Sequence, residues 1–165
     1  MNIGIFYAGK TGTTDFCARE LSTRLCAACF NLAVDKASPS DFDFVIIGSS
    51  VRMGRIHPLV RRFLKACAGE LREKPYALFL VQGLPETFEM VLERNFSEDF
   101  LKKAVALESF GGKLDLEKQK GFSRLLVKGM MKNPAFKAPE IDWDAIADFV
   151  QAVRKNTEDK KETFR

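Results

Sequence analysis

The stretch "GIFYAGKTGTT", Gly4 to Thr14, decides how the chain is read, because it satisfies two phosphate-binding patterns at once. Gly4, Gly9, Lys10 and Thr11 spell G-x-x-x-x-G-K-T, the loop that wraps a nucleoside triphosphate. Thr11, Gly12 and Thr14 spell T-G-x-T, in which hydroxyls and free amides at a helix start can hold a single phosphate. The first pattern needs its first glycine at a strand's end and four loop residues after it. Here Ile5, Phe6 and Tyr7 are large apolar or aromatic residues in the middle of the best strand, so Gly4 falls inside a sheet and no wrapping loop remains. A triphosphatase also needs an acid at the end of another buried strand to hold Mg²⁺, and "FVIIG" ends in Gly48 followed by Ser49 and Ser50. The phosphate loop is therefore placed at Ala8 to Thr13, opening into a helix. Thr11, Thr13 and Thr14 offer hydroxyls there, Gly12 allows close approach, and Lys10 either adds charge or points to water. A plain capped turn is the competing reading of the same residues.

Working outward, short apolar runs alternate with amphipathic stretches. Ile3 to Tyr7, Phe44 to Gly48, Ala77 to Val81 and Ala104 to Glu108 read as strands buried on both faces, with Asn31 to Asp35 as an edge strand. Helices are expected over Thr14 to Ala28, from Pro58 through Cys67, over roughly Glu86 to Lys103 with a break near Asn95, and after an Asp142 N-cap. The pattern specifies an α/β protein: a doubly wound, five-stranded parallel sheet with helices on both faces. Such sheets bind ligands beyond the carboxyl ends of their strands, which directs attention to the loops after Tyr7, Gly48 and Val81. A chain of 165 residues with 46% hydrophobic content suits one domain, expected over 1–156, with a polar flexible tail over 157–165.

No run reaches the roughly 20 apolar residues of a membrane span, and the N-terminus has no secretory pattern, so a cytoplasmic protein is expected. The formal net charge of +4 is modest, and no nucleic-acid partner is expected. Four cysteines fit reduced thiols. Cys26 and Cys29 form C-x-x-C, but near the C-terminal end of the first helix, where the dipole opposes a thiolate; a structural role is expected, and no metal site. His57, the single histidine, is placed either to cap the helix that follows or to approach a ligand.

The chain resembles the flavodoxin-like proteins, and within them the menaquinone-dependent protoporphyrinogen dehydrogenases. The resemblance rests on "FYAGKTGTT" after the first strand, "FDFVIIGSSVRMGRIHPLVRRFLK" around the third and "KAVALESFGGKL" at the fifth. It implies strand order 2-1-3-4-5 and FMN as cofactor. It implies that Gly9, Lys10, Thr11, Gly12, Thr13 and Thr14 surround the FMN phosphate. Ser49, Ser50, Val51, Arg52, Met53 and Gly54 would border one side of the flavin ring, and Gly83, Leu84, Pro85, Glu86 and Thr87 the other. Gly9 stands where many flavodoxins have serine, and "VRMGRI" has no aromatic to cover the ring; Met53 is the apolar substitute.

The segment 116–139 is an insertion with six basic residues (Lys118, Lys120, Arg124, Lys128, Lys132, Lys137) against one acid, Glu117. Its composition suits an anionic membrane surface, a quinone or an acidic partner, and equally a lid with solvated lysines. The resemblance implies an FMN-dependent oxidoreductase that takes reducing equivalents from a tetrapyrrole, with Arg52, Arg55 and the insertion lysines near its carboxylates, and passes them to a quinone at the inner face of a membrane. The alternative is an electron-transfer module for a redox partner protein, with no substrate of its own. No catalytic residue is assigned by the sequence.

Overall fold

A computed structural model describes residues 1–112 and 140–163. The segment 116–139, read as a basic amphipathic insertion, lies outside them. Five parallel strands form the sheet: β1 (Ile3–Ala8), β2 (Ala28–Asn31), β3 (Phe44–Arg52), β5 (Tyr76–Val81) and β6 (Leu107–Ser109). Their order is β2-β1-β3-β5-β6, the expected doubly wound order, with the short β4 (Arg55–Ile56) folded back antiparallel on β3.

Alternation along the strands builds two cores. Ile3, Ile5 and Tyr7 of β1, Phe44 and Ile46 of β3, and Ala77, Phe79 and Val81 of β5 point to one face. There they meet Cys17, Ala18 and Leu21 of α1 (Thr13–Leu25) and Ile146, Phe149, Val150 and Val153 of α6 (Trp143–Thr163). Phe6, Val45, Ile47, Leu78 and Leu80 point to the other. That face is covered by α2 (Pro58–Ala66), α3 (Ala68–Glu73), α4 (Phe88–Asn95) and α5 (Glu98–Lys103), through Val60, Leu71, Val91 and Leu92 among others. Two glycines make the packing possible. A Cβ on Gly4 would sit 2.6 Å from the Phe42 ring, and one on Gly48 would sit 2.2 Å from the Phe79 ring. Gly4, paired with Ala28 and Val45, is a sheet residue, and the triphosphate loop has no place here.

Three expected elements shift. The first helix stops at Leu25 rather than Ala28, because Cys26 turns left-handed (φ 50) and its N–H returns to the Ser22 carbonyl. β2 therefore starts at Ala28, and "NLAVD" is not a strand. Asp35 accepts the Asn31 N–H at 2.7 Å and the Asn31 side chain accepts the Ala33 N–H at 3.0 Å, a local bonding pattern that competes with a ladder. The last strand lies at Leu107–Ser109, three residues later than expected, although Val105 N–H still bonds the Tyr76 carbonyl. The expected break near Asn95 is real, and Ser97 caps α5 by accepting the Phe100 N–H. Asp142 caps α6 through the Ala145 N–H at 2.9 Å, and that helix runs through Thr163, past the domain end expected at 156.

The Gly48–Phe79 fit generates a test. Gly48→Ala should cost about 1–3 kcal/mol of stability, as an overpacked core does, read as a lower urea midpoint at constant slope. Adding Phe79→Leu should recover part of that loss. Purely additive effects of the two substitutions would show that the Cβ is accommodated elsewhere.

Candidate functional site

At the carboxyl edge of the sheet, β1 ends at Ala8, and Gly9 to Gly12 lead into α1. Gly12 sits at the N-cap with φ 85, a left-handed conformation that glycine adopts freely, and no side chain caps the helix. The cap residue itself therefore offers the first-turn amides of α1 no side-chain acceptor. The acid in that turn, Asp15, is held elsewhere: the Arg19 Nε donates to it at 2.9 Å and the Tyr7 hydroxyl also donates to it. Arg19, then Tyr7, hold the Asp15 carboxyl below its usual range. Burial, and then Asp15, push the Tyr7 phenol well above its own. Gly9 has a steric explanation. A Cβ there would stand 2.5 Å from the Thr14 hydroxyl, and Thr14 is buried under the loop. The serine that this position lacks would collide with Thr14.

β3 continues past the sheet core and turns back through Met53 (φ 50) and Gly54 (φ 70) into β4, with Arg52 opposite Arg55. Two central residues with positive φ make this a tight hairpin whose twist suits the flanking strands. The segment "VRMGRI", expected as an open loop beside a ligand, is this hairpin. Asn95 on α4 holds it: its Nδ2 donates to the carbonyls of Gly54 (2.9 Å) and Val91 (2.7 Å), and its Oδ1 accepts the Ile56 N–H. Ser49 is fully buried, accepts the His57 N–H at 2.9 Å and donates to the Ser50 carbonyl. It fastens the hairpin to α2 rather than bordering a ligand. His57 caps α2, its Nδ1 accepting the Leu59 N–H, which leaves the proton on Nε2. Burial, then the charge of Lys10, hold its pKa below the ordinary value.

From β5, Gln82 is 4% exposed and lies at the strand's end. Its Nε2 donates to the Leu84 carbonyl, while its Oε1 is buried without a partner among the described residues. The Leu84 carbonyl also accepts from the Thr87 N–H and hydroxyl, closing a 3-10 turn over Pro85–Thr87. Opposite, Phe110 is buried and Gly111 (φ 65) gives its carbonyl to the Gln82 N–H at 2.8 Å. That brings Gly112 against Gln82, where a Cβ would stand 3.2 Å from its carbonyl.

These elements enclose a cleft of about 660 Å³, within the range of small-molecule and cofactor sites. Of the residues expected to line a ligand, Lys10, Thr11, Thr13, Ser50, Val51, Arg52, Met53 and Gly83 border this cleft. Gly9, Gly12, Thr14, Ser49, Gly54, Leu84, Pro85, Glu86 and Thr87 do not, and act by shaping backbone or closing turns. The cleft adds Arg55, Ile56, His57, Pro58, Arg61, Val81, Gln82, Arg94 and Gly112, of which Gln82, Arg61 and Arg94 carried no sequence signal. No aspartate, glutamate, phenylalanine, tyrosine or tryptophan side chain is among the described lining residues. The thiols lie outside it. Burial pushes the Cys29 thiol up to about 11, and Cys17 to about 12. The described residues contain no cluster of three potential metal ligands and no helix long and apolar enough to cross a membrane.

A sequence profile described as a flavodoxin domain matches residues 4–138. No curated protein matches the chain. Among solved structures, a flavoprotein in complex with FMN from Lactobacillus acidophilus is similar at 12% identity and a TM-score of 0.53, covering 66% of this chain and 92% of its own. A flavo di-iron protein from Thermotoga maritima is similar at 16% identity and a TM-score of 0.56, covering 94% of this chain. Rubredoxin oxygen:oxidoreductase from Desulfovibrio gigas is similar at 18% identity and a TM-score of 0.50, covering 92%. This chain spans only about a third of the latter two, 35% and 36% of their lengths. At these identities the likeness concerns the fold.

Two measurements test the site's architecture. Because His57 titrates lower when folded, the unfolded chain binds more protons as pH falls through about 6.5, and stability should fall with it. His57→Asn, which can still cap α2, should flatten that slope; an unchanged slope would assign it to other groups. Met53→Asn should raise stability by about 0.5–1 kcal/mol, since asparagine tolerates a left-handed turn better than methionine.

Proposed function

The chain belongs to the flavodoxin domain family, and from that premise we propose that it binds FMN in this cleft and works as a redox protein. The observation that carries the reading is the convergence of two groups on one space. The N-terminus of α1, whose cap residue Gly12 has no side chain, stands beside Lys10, Thr11 and Thr13 at one end, and the buried Gln82 oxygen, without a hydrogen-bond partner among the described residues, stands in the wall. The first is a cradle for a phosphate of about −1.5 to −2 charges. The second requires an N–H donor, which the pyrimidine part of a flavin supplies and an apolar ligand does not. When bound, FMN supplies a ring that takes up and returns reducing equivalents.

This chain's residues would then bind, orient and shield. Thr11, Thr13 and the α1 amides hold the phosphate, while Asp15 in the same turn stays hydrogen-bonded to Tyr7 and paired with Arg19. Val51, Met53 and Val81 offer apolar cover. Gln82 accepts one N–H and fixes the ring's orientation. His57, neutral and tied at Nδ1, is held where its Nε2–H can donate into the cleft.

Within that role, we read the chain as an oxidoreductase similar to the menaquinone-dependent protoporphyrinogen dehydrogenases, passing reducing equivalents from a tetrapyrrole to a quinone. Support comes from the sequence resemblance, from a cleft lined by cations without acids, and from a sequence pI near 8.9 where electron shuttles of this fold are generally acidic. Peripheral contact with an anionic membrane through 116–139 would suit a quinone acceptor. A second reading, an electron-transfer module docking a protein partner, is favoured by Met53, which is 77% exposed at the mouth of the cleft.

The purified protein should show two visible flavin bands that grow when FMN is added. Gln82→Leu should weaken FMN binding by roughly three- to tenfold, followed by fluorescence quenching. A colourless protein that ignores added FMN would overturn the assignment. With flavin bound, anaerobic mixing with protoporphyrinogen should bleach the bands, whereas a shuttle would leave them oxidised.

A further inference from the structure

Beside the cleft lies a recess of about 310 Å³ lined by Arg55, Arg61, Arg94 and Asn95. The three arginines also line the main cleft, so the two spaces adjoin across these side chains. They are brought together from β4, α2 and α4, 39 residues separating the outer two in sequence. The wall between them is built. Asn95 spends its amide on Gly54, Val91 and Ile56, so it braces the hairpin and has no donor to spare. Gly54 is what admits Arg94: a Cβ there would stand 3.2 Å from the Arg94 Nη1. The Arg61 N–H bonds the His57 carbonyl, which seats that arginine one turn into α2.

Among the described residues, ion pairs join Arg19 to Asp15, Arg24 to Glu20 and Lys102 to Glu98, and none reaches Arg55, Arg61 or Arg94. Three guanidinium groups around one recess repel each other, and Lys10 and Arg52 on the adjoining cleft add to the same field. An anion in the recess relieves that repulsion. A lone carboxylate satisfies one planar guanidinium fork, whereas a phosphate or pyrophosphate presents oxygens in several directions and more than one charge. At about 30 Å³ per water the recess holds about ten waters, enough for a diphosphate. Its concavity and its place beside the cleft favour a small molecule over a flat protein surface.

We propose that Arg55, Arg61 and Arg94 form a second anion site that binds the phosphate or pyrophosphate of a soluble phosphorylated molecule while its remainder enters the cleft. The binding of this anion does not rest on the FMN reading.

The test is calorimetric titration of the FMN-saturated full chain with inorganic pyrophosphate, FMN occupying the phosphate loop. One saturable site is expected. Arg94→Gln should weaken it about tenfold, Arg55→Gln with Arg94→Gln should abolish it, and Arg94→Lys should retain part of it. Thermal melting checks that each variant folds. Weakening of the wild-type signal by sodium chloride at matched ionic strength to the same extent as by Arg94→Gln would reduce the site to general screening and overturn it. So would pyrophosphate binding only to FMN-free protein, citrate binding more tightly than pyrophosphate, or polyglutamate binding where pyrophosphate does not. Should the chain bind no FMN, the same titration of the FMN-free protein still decides: loss of binding in Arg94→Gln supports the site, and indifference to it overturns it.

Discussion

Phe79 fills the space that Gly48 leaves on the neighbouring strand, and most of the site is placed by that fit. The Phe79 ring stacks on Phe110 at 4.8 Å, and both meet Phe149 of α6 edge-on. One aromatic cluster thereby ties β3, β5, the end of β6 and the last helix together. Phe110 is followed at once by Gly111, whose carbonyl takes the Gln82 N–H, so the same packing that closes the core sets Gln82 and Gly112 at the edge of the cleft. Buried aromatic pairs are worth more than their area alone, which makes this joint stiff.

The opposite wall is held by polar groups rather than by apolar packing. Ser49, His57 and Asn95 each direct their bonds to backbone, and together they lock the hairpin between β3 and α2 and dock it on α4. A hairpin anchored in this way can carry exposed arginines in defined positions without burying their charge. On the third side, Tyr7 and Arg19 hold Asp15, so the carboxylate in the first turn of α1 is hydrogen-bonded and paired with a guanidinium. The cleft therefore combines braced walls with a lining whose charged side chains, among the described residues, are all cationic. This is the combination by which a protein binds an anionic cofactor with little reorganisation.

Much of this was legible from residue types. The runs "IGIFY", "FVIIG" and "ALFLV" are apolar at every position because both faces are buried, and such runs specify central parallel strands. The T-G-x-T stretch could be placed at a helix start because Gly and Thr there follow directly from a strand. What was not legible depended on neighbours distant in sequence. "NLAVD" carries strand-forming residues, yet Asn31 and Asp35 bond each other's backbone and end the strand early. Ser49 carries the hydroxyl of a binding residue, yet the His57 amide takes it. Gly9 reads as a missing hydroxyl, yet its lack of a side chain is what admits Thr14.

The amino-acid sequence by itself determined the parallel α/β sheet, its strand order through the family resemblance, and the Gly- and Thr-rich turn that leads from β1 into α1, because apolar runs and helix starts are written in local residue types. Only the tertiary structure decided which polar groups face the cleft. The Gln82 oxygen has no partner among the described residues because burial removed its alternatives, and Arg55, Arg61 and Arg94 share a recess because three separate elements pack around Asn95 and Gly54. Bonding capacity left over after folding is a property of the packed chain, and no local pattern encodes it.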